Sequence, residues 1–148
     1  MQVDGGADLL RQHGEIELER HLEQLARALE PIVRHCDLAV KYTSWTIAFI
    51  LPDTALAGAQ ALAEKLRKAG AQVRPPWDGA ALTLSASIAE ALVRPNYDGE
   101  DIVTELINRA AAGLEEAAHR GGDTVVAPKP LGSGDHDSAG YRGPSHAD

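Results

Sequence analysis

Few side chains in this sequence stand where they could do chemistry. Arg34 and Asp37 form an R-x-x-D pattern. A guanidinium carries a fork of donors and a carboxylate accepts, so the pair can serve a polar ligand or simply each other. A surface Arg–Asp pair at a helix–strand junction contributes little energy, so spacing alone leaves both readings open. His35-Cys36-Asp37 would suggest a metal or a nucleophile, yet adjacent side chains point apart, and no C-x-x-C or second histidine cluster accompanies them. Cys36 reads better as a small buried hydrophobe. Ser85 and Ser87 share a strand face without a partnered histidine, so hydrolytic chemistry has only residue type behind it. Trp45 and Trp77 could stack on a base, but core or turn packing is the commoner use. His136 and His146 fall in a polar tail and are expected to be solvated.

The elements that would position these residues follow from periodicity. Asp37–Thr54 reads as two strands and a tight turn, and the rest of the chain is arranged about it. Val40 and Tyr42 alternate in the first run, and Trp45–Leu51 is the most apolar stretch. β-branched and aromatic residues suit a pleated, buried surface. Thr43-Ser44 is the expected turn, Pro52 ends the second strand, and Asp53 or Thr54 is expected to cap the next helix. Residues 15–35 place Leu18, Leu22, Leu25, Leu29, Ile32 and Val33 at helical spacing, with Pro31 expected to loosen the last turn. Residues 53–69 form a second helix with Leu56, Ala59, Leu62, Ala63 and Leu66 inward and Gly70 as its stop. Leu82–Leu92 reads as a strand. Residues 100–120 form a long helix with a stripe of Ile102, Leu106, Ile107, Ala110 and Leu114, preceded by Asp98 or Gly99 and ended by Gly121-Gly122. Thr124–Val126 is a short closing strand. Residues 1–14 are polar and glycine-containing, with Met1–Val3 as the end of a strand.

In this serial order the chain resembles GGDEF domains, which make cyclic di-GMP from two GTP molecules. The family pattern is R-x-x-D, five residues, G-G-D/E-E-F, a hydrophobic run and a Pro-Asp-Thr-like helix start. Here Arg34-x-x-Asp37 has that gap, and Thr43-Ser44-Trp45-Thr46-Ile47 occupies the GGDEF slot. The strand containing Ser85 and Ser87 is similar to the family's T-V-S-I-G-V-A, with Ser87 in the glycine position. The closing segment, last helix through final strand, resembles the family's ending: Ala110, Leu114, Ala117, Gly121 and Val125 are kept, while Ala111, Glu115, Ala118 and Asp123 replace the family's Asp, Tyr, Lys and Asn. In active relatives magnesium and GTP sit between the first strand and the hairpin turn. By this resemblance the metal carboxylates fall on Gln2 and Trp45, the next acid on Thr46, and the two glycines on Thr43 and Ser44. The guanine-reading Asn falls on Leu10, its partner Asp on Glu19, and Asp4 survives from the first-strand motif. Without those carboxylates the charge neutralisation that phosphoryl transfer depends on is missing. The resemblance therefore implies no catalytic residues, no metal and no cofactor. It also makes Arg34, Asp37 and Lys65 the candidate ligand site, because this R-x-x-D pair is the family's inhibitory site for cyclic di-GMP and Lys65 falls where a further basic residue assists.

The expected fold is α/β: a central mixed sheet with an antiparallel hairpin and helices on both faces, in a domain that lacks its N-terminal segment and with it the first strand. Residues 1–127 would form this domain, and 128–148, rich in Gly, Ser, Asp, His and Pro, a disordered tail. The expected function is a GGDEF-like signalling module without cyclase activity: a receptor for cyclic di-GMP or GTP, or an interaction domain of a bacterial regulator. Two alternatives stand beside it. One is a residual cyclase whose partner subunit supplies the missing strand and carboxylate; the other is a purely structural dimerisation domain. A protein partner or homodimer is expected, since an incomplete sheet exposes unpaired backbone. The net charge of −8, from 14 basic and 22 acidic residues, argues against a general nucleic-acid or anionic-membrane surface. No apolar run reaches the roughly 18–20 residues of a membrane span. A single cysteine forms no internal disulfide, which is compatible with a reducing cytoplasm.

Overall fold

In the computed structural model, residues 1–129 are described. The polar tail expected from Pro128 onward lies, from residue 130, outside the described residues. Element order is β1 (Gln2–Val3), α1 (Gly6–Leu29), β2 (Leu38–Thr43), β3 (Thr46–Ile50), α2 (Leu56–Gly70), β4 (Leu84–Ser87), α3 (Gly99–His119) and β5 (Val125–Val126). The strands form one mixed sheet in the order β2-β3-β1-β4-β5. β1 runs antiparallel to both neighbours, β2 and β3 form an antiparallel hairpin, and β4 pairs with β5 in parallel. The strand suggested by Met1–Val3 is thus present, two residues long, at the centre of the sheet. The Met1 amine donates to Ile47 O at 2.9 Å, and burial pushes its pKa down to about 6.

The leucine stripe builds the core. Leu18, Leu22, Leu25 and Leu29 of α1 are all buried, and Val3, Ile47 and Leu84 pack with Leu22 and Leu25. Gly70, at the end of α2, lets Leu84 and Leu25 approach its backbone. These contacts place α1 and α2 on the face toward which Leu84 points. Ser87, three residues on, points the other way and meets Gly113 of α3. α3 lies over β4 and β5. On the hairpin, Leu38, Val40, Tyr42 and Ile50 remain exposed.

Several local expectations are corrected. The first helix starts at Gly6, not residue 15, and breaks at Gly14, whose φ of 83° is open to glycine at little cost. It stops at Leu29, and Pro31 sits in a 3-10 turn, Glu30–Ile32, which uses proline's fixed φ and missing donor instead of suffering from them. The hairpin turn is Ser44-Trp45 instead of Thr43-Ser44. Neither Asp53 nor Thr54 caps α2; Ala55 holds that position with no side-chain bond, because the Thr54 hydroxyl is engaged elsewhere. β4 covers only Leu84–Ser87 of the run expected to Leu92. Asp98 does cap α3, in a reciprocal capping box with Asp101. The buried line of α3 is Arg109, Gly113 and Ala117, and Ile107 of the expected stripe is exposed. Cys36 is exposed rather than buried.

His21 is fully buried on α1 and neither ring nitrogen has a partner. Trp77 covers it at 5.9 Å between ring centroids, and stacks on His13 at 4.1 Å. Burial disfavours the imidazolium and pushes the His21 pKa below its usual 6.5. The unfolded chain then binds more protons than the folded one as pH falls below 6.5, so stability falls with it. Denaturant midpoints measured across that window are expected to decline toward acid, and His21→Leu to flatten the decline.

Candidate functional site

The hairpin turn and the first turn of α1 meet where the resemblance places metal and nucleotide. Thr43 ends β2, Ser44 and Trp45 form the turn, and Thr46 and Ile47 open β3. Trp45 turns its indole back onto Gly6. A Cβ built on Gly6 would stand 2.2 Å from the indole Cγ, so the ring lies directly on the helix backbone. The main chain is held as well: Val3 N–H donates to Trp45 O at 2.9 Å. Ser44 Oγ donates to Glu15 at 3.3 Å, which closes the turn onto α1 from the side.

The remaining acids nearby are committed. Glu19, which the resemblance sets against a guanine-partnering Asp, accepts from Lys41 Nζ at 2.5 Å. Asp4 accepts from Thr83 Oγ1, Ser85 Oγ and the backbone N–H of Asp123, each at 2.7 Å. A divalent cation such as magnesium takes hard oxygen ligands, but Gln2, Trp45 and Thr46 bring no carboxylate and Asp4 already accepts three donors. The residues present do not fit the metal. Among the described residues, no group of three or more His, Cys, Asp or Glu is placed to hold a metal ion.

Arg34 and Asp37 are brought together at the entry to β2. Asp37 accepts from Arg34 N at 2.9 Å, from Nε at 3.2 Å and from Nη2 at 2.8 Å. The same Nη2 donates to Pro52 O at 2.9 Å and to Thr54 Oγ1 at 2.5 Å. The Arg34 side chain thus clamps the start of β2 to the turn that leaves β3. Its hydrogen bonds hold the Asp37 carboxyl below the usual carboxylate range. The Asp37 side chain is fully covered, while that of Arg34 is 51% exposed. Lys65 is exposed on α2, and among the described residues it makes no hydrogen bond or ion pair with either. Beside the pair lies a groove of about 720 Å³ between the end of α1 and the hairpin, lined by Arg34 and Asp37 at one end and by Leu29, Ile47 and Phe49 at the other.

Sequence reasoning missed the Asp4 clamp and the Trp45–Gly6 contact. The only signal for the clamp was a lone acid at a strand end facing a Thr-x-Ser strand. It also missed Arg109, which is buried on α3, donates to Glu105 Oε1 at 3.0 Å and reaches the Glu90 carbonyl. A charged residue inside a helical stripe was the available clue.

Residues 8–124 match the family model for the diguanylate cyclase GGDEF domain. The chain belongs to the GGDEF family. Its relatives include "Diguanylate cyclase A" of Treponema denticola, 27% identical over 108 residues, a match covering 73% of this chain and 28% of that protein. The chain therefore spans well under a third of that curated relative. Among solved structures, the active GGEEF domain of a diguanylate cyclase from Vibrio cholerae superposes with a TM-score of 0.72 at 17% identity, covering 86% of this chain and 79% of that one. Diguanylate cyclase SiaD from Pseudomonas aeruginosa, solved with its activator SiaC, gives 0.70 at 26% identity, covering 85% of this chain and 47% of the other. The GGDEF fold, with its mixed five-stranded sheet and flanking helices, is what the sequence led one to expect. Among the described residues no helix is long and apolar enough to cross a membrane.

Proposed function

We propose that this GGDEF domain makes no cyclic di-GMP and works as an interaction module in signalling. The observation that carries the reading is the Trp45 indole seated on Gly6. An apolar ring occupies the junction of hairpin turn and helix start, where the family's chemistry needs oxygen ligands and close backbone approach to phosphates. Phosphoryl transfer relies on positioning and charge neutralisation, and this junction supplies neither. The test is incubation of the pure chain with GTP and magnesium followed by chromatography. No product is expected; accumulating cyclic di-GMP would overturn the proposal and favour a residual cyclase.

A second reading, a nucleotide receptor at Arg34, Asp37 and Lys65, is favoured by one observation: half of the Arg34 side chain stays exposed at the rim of the groove. Against it, Asp37 is covered and already accepts three donors, so a guanine edge would have to break that clamp first. Calorimetry with cyclic di-GMP on the wild type and on Lys65→Ala separates the readings. Heat on the wild type that weakens in the variant supports the receptor. No heat at concentrations well above about 1 μM, roughly −8 kcal/mol in binding free energy, leaves the interaction module. Lys65 is used for this test because Arg34 also holds the fold.

A further inference from the structure

β2 is the outer strand of the sheet, and among the described residues no strand pairs with it on its far side. The direction of its backbone groups follows from β3. Trp45 and Ile47 bond toward β1, so the alternate residues Thr46, Ala48 and Ile50 face β2. Ala48 and Ile50 stand opposite Val40 and Leu38, and these two therefore spend their N–H and C=O groups on β3. Ala39 and Lys41 offer theirs outward. The free edge ends on either side of this pair. Asp37 N–H already donates to Arg34 O at 3.0 Å, and past Lys41 the ladder to β3 shifts register.

The side chains along this edge read alike in both directions. Leu38 and Tyr42 lie two residues either side of Val40. All three are between 43% and 58% exposed, as is Ile50, which stands beside Leu38 on β3. On the other face of the strand Ala39 is small. Lys41 is the kind of residue that ordinarily guards a strand edge against pairing. Here its ammonium is drawn back onto the chain's own helix, where Glu19 accepts from it at 2.5 Å.

We propose that this edge is a homodimer interface, in which β2 pairs antiparallel with β2 of a second copy about a two-fold axis at Val40. Ala39 then exchanges two main-chain hydrogen bonds with Lys41 of the second copy, and Lys41 exchanges two with Ala39, so both outward residues of each strand are satisfied. Leu38 stands opposite Tyr42 of the second copy and Val40 opposite Val40, which joins the two apolar patches across the axis. Lys41 stands opposite Ala39, so no like charges face each other. Neighbouring registers fit less well. Centring on Lys41 sets two lysines face to face. Centring on Ala39 calls on the Asp37 N–H already given to Arg34. An edge that reads alike in both directions is complementary to itself, and a two-fold interface asks for that self-complementarity, which makes the occupant a second copy. The two five-stranded sheets become one. This inference goes beyond the reading of catalytic silence and does not depend on it; the GTP incubation tests that reading separately.

Two measurements on the whole chain test the pairing. In the dimer, Val40 and its copy form a non-hydrogen-bonded pair with Cα atoms about 4.5 Å apart, within the span of a disulfide. In a Cys36→Ser background, Val40→Cys is expected to oxidise to a covalent dimer on a non-reducing gel. Leu38→Cys, more than about 13 Å from its copy along the strands, is expected to stay monomeric there. Sedimentation velocity at about 0.15 M salt, which largely screens the charge of −8 on each copy, is expected to show wild-type dimers. Ala39→Pro removes one outward donor per strand and no bond to β3, so it should weaken dimerisation by about tenfold or more, with circular dichroism showing the fold intact. If that variant unfolds, the cysteine pair decides. A wild type that stays monomeric up to about 100 μM overturns the proposal. So does a dimer that a folded proline variant leaves unchanged, or a Val40→Cys chain that oxidises no better than Leu38→Cys.

Discussion

Gly6→Ala is expected to dislodge Trp45 and to destabilise the domain by about 1–3 kcal/mol, the usual cost of overpacking. The added Cβ would stand between 2.2 and 2.6 Å from three atoms of the indole. The ring is rigid, and the Trp45 carbonyl is fixed by Val3 N–H at 2.9 Å, so neither side chain nor main chain can recede cheaply. Alanine's higher helix propensity, up to about 1 kcal/mol in a helix interior, is worth less at the first helical residue and does not reverse the sign. Urea unfolding gives the stability, and Trp45 emission in a Trp77→Phe background reports the ring. A lower midpoint together with red-shifted emission is expected. If both stay put, the indole does not sit on Gly6, and the main support for catalytic silence goes with it.

The second large effect concerns Ser87 and Gly113. On the helix, Gly113 leaves the room that Ser87 fills. A Cβ on Gly113 would meet Ser87 Oγ at 2.0 Å and Ser87 Cβ at 2.9 Å. A hydroxyl can rotate away, but a Cβ is fixed by the strand. Gly113→Ala should therefore destabilise by about 1–3 kcal/mol before the propensity gain of about 1 kcal/mol is counted. In a Ser87→Gly background the two closest contacts are gone and only Pro128 Cδ, 3.1 Å from the added Cβ, still has to give, so the same change should cost less. A coupling of about 1–3 kcal/mol from the double-mutant cycle is the expected result. Additive effects would show that α3 does not press on β4 at this point.

Periodic features could be read without coordinates. The hairpin, the leucine stripe of α1 and the Asp98 cap follow from local rules, since side-chain period and capping chemistry are set within a few residues. The meeting of Arg34 and Asp37 was legible for the same reason. What was not legible depends on partners distant in sequence. Gly14 looks like the end of a loop until the turns on both sides of it are seen to pack as helix. Thr54 looks like a cap until Arg34 engages its hydroxyl. The inward line of α3 runs through Arg109 and Gly113 because the Glu90 carbonyl and Ser87 meet it there, and hydrophobicity alone ranks Ile107 above both. Trp45 was read as the start of the second strand, whereas it lies in the turn, and which surface its ring covers is decided by Gly6.

The Asp4 carboxylate joins residues 119 positions apart through the Asp123 N–H. Closing so long a loop costs only about 0.6 kcal/mol more than closing one half its length, so the clamp is thermodynamically inexpensive. Its consequence is temporal. Contacts of long sequence separation slow folding, and this one binds the strand at the centre of the sheet. During synthesis Gln2 and Val3 are made well before Asp123, and β1 can pair with β3 and β4 first, but the Asp4 clamp is complete only once Asp123 has left the ribosome. Until then the centre of the sheet lacks the bond that ties it to the segment after α3.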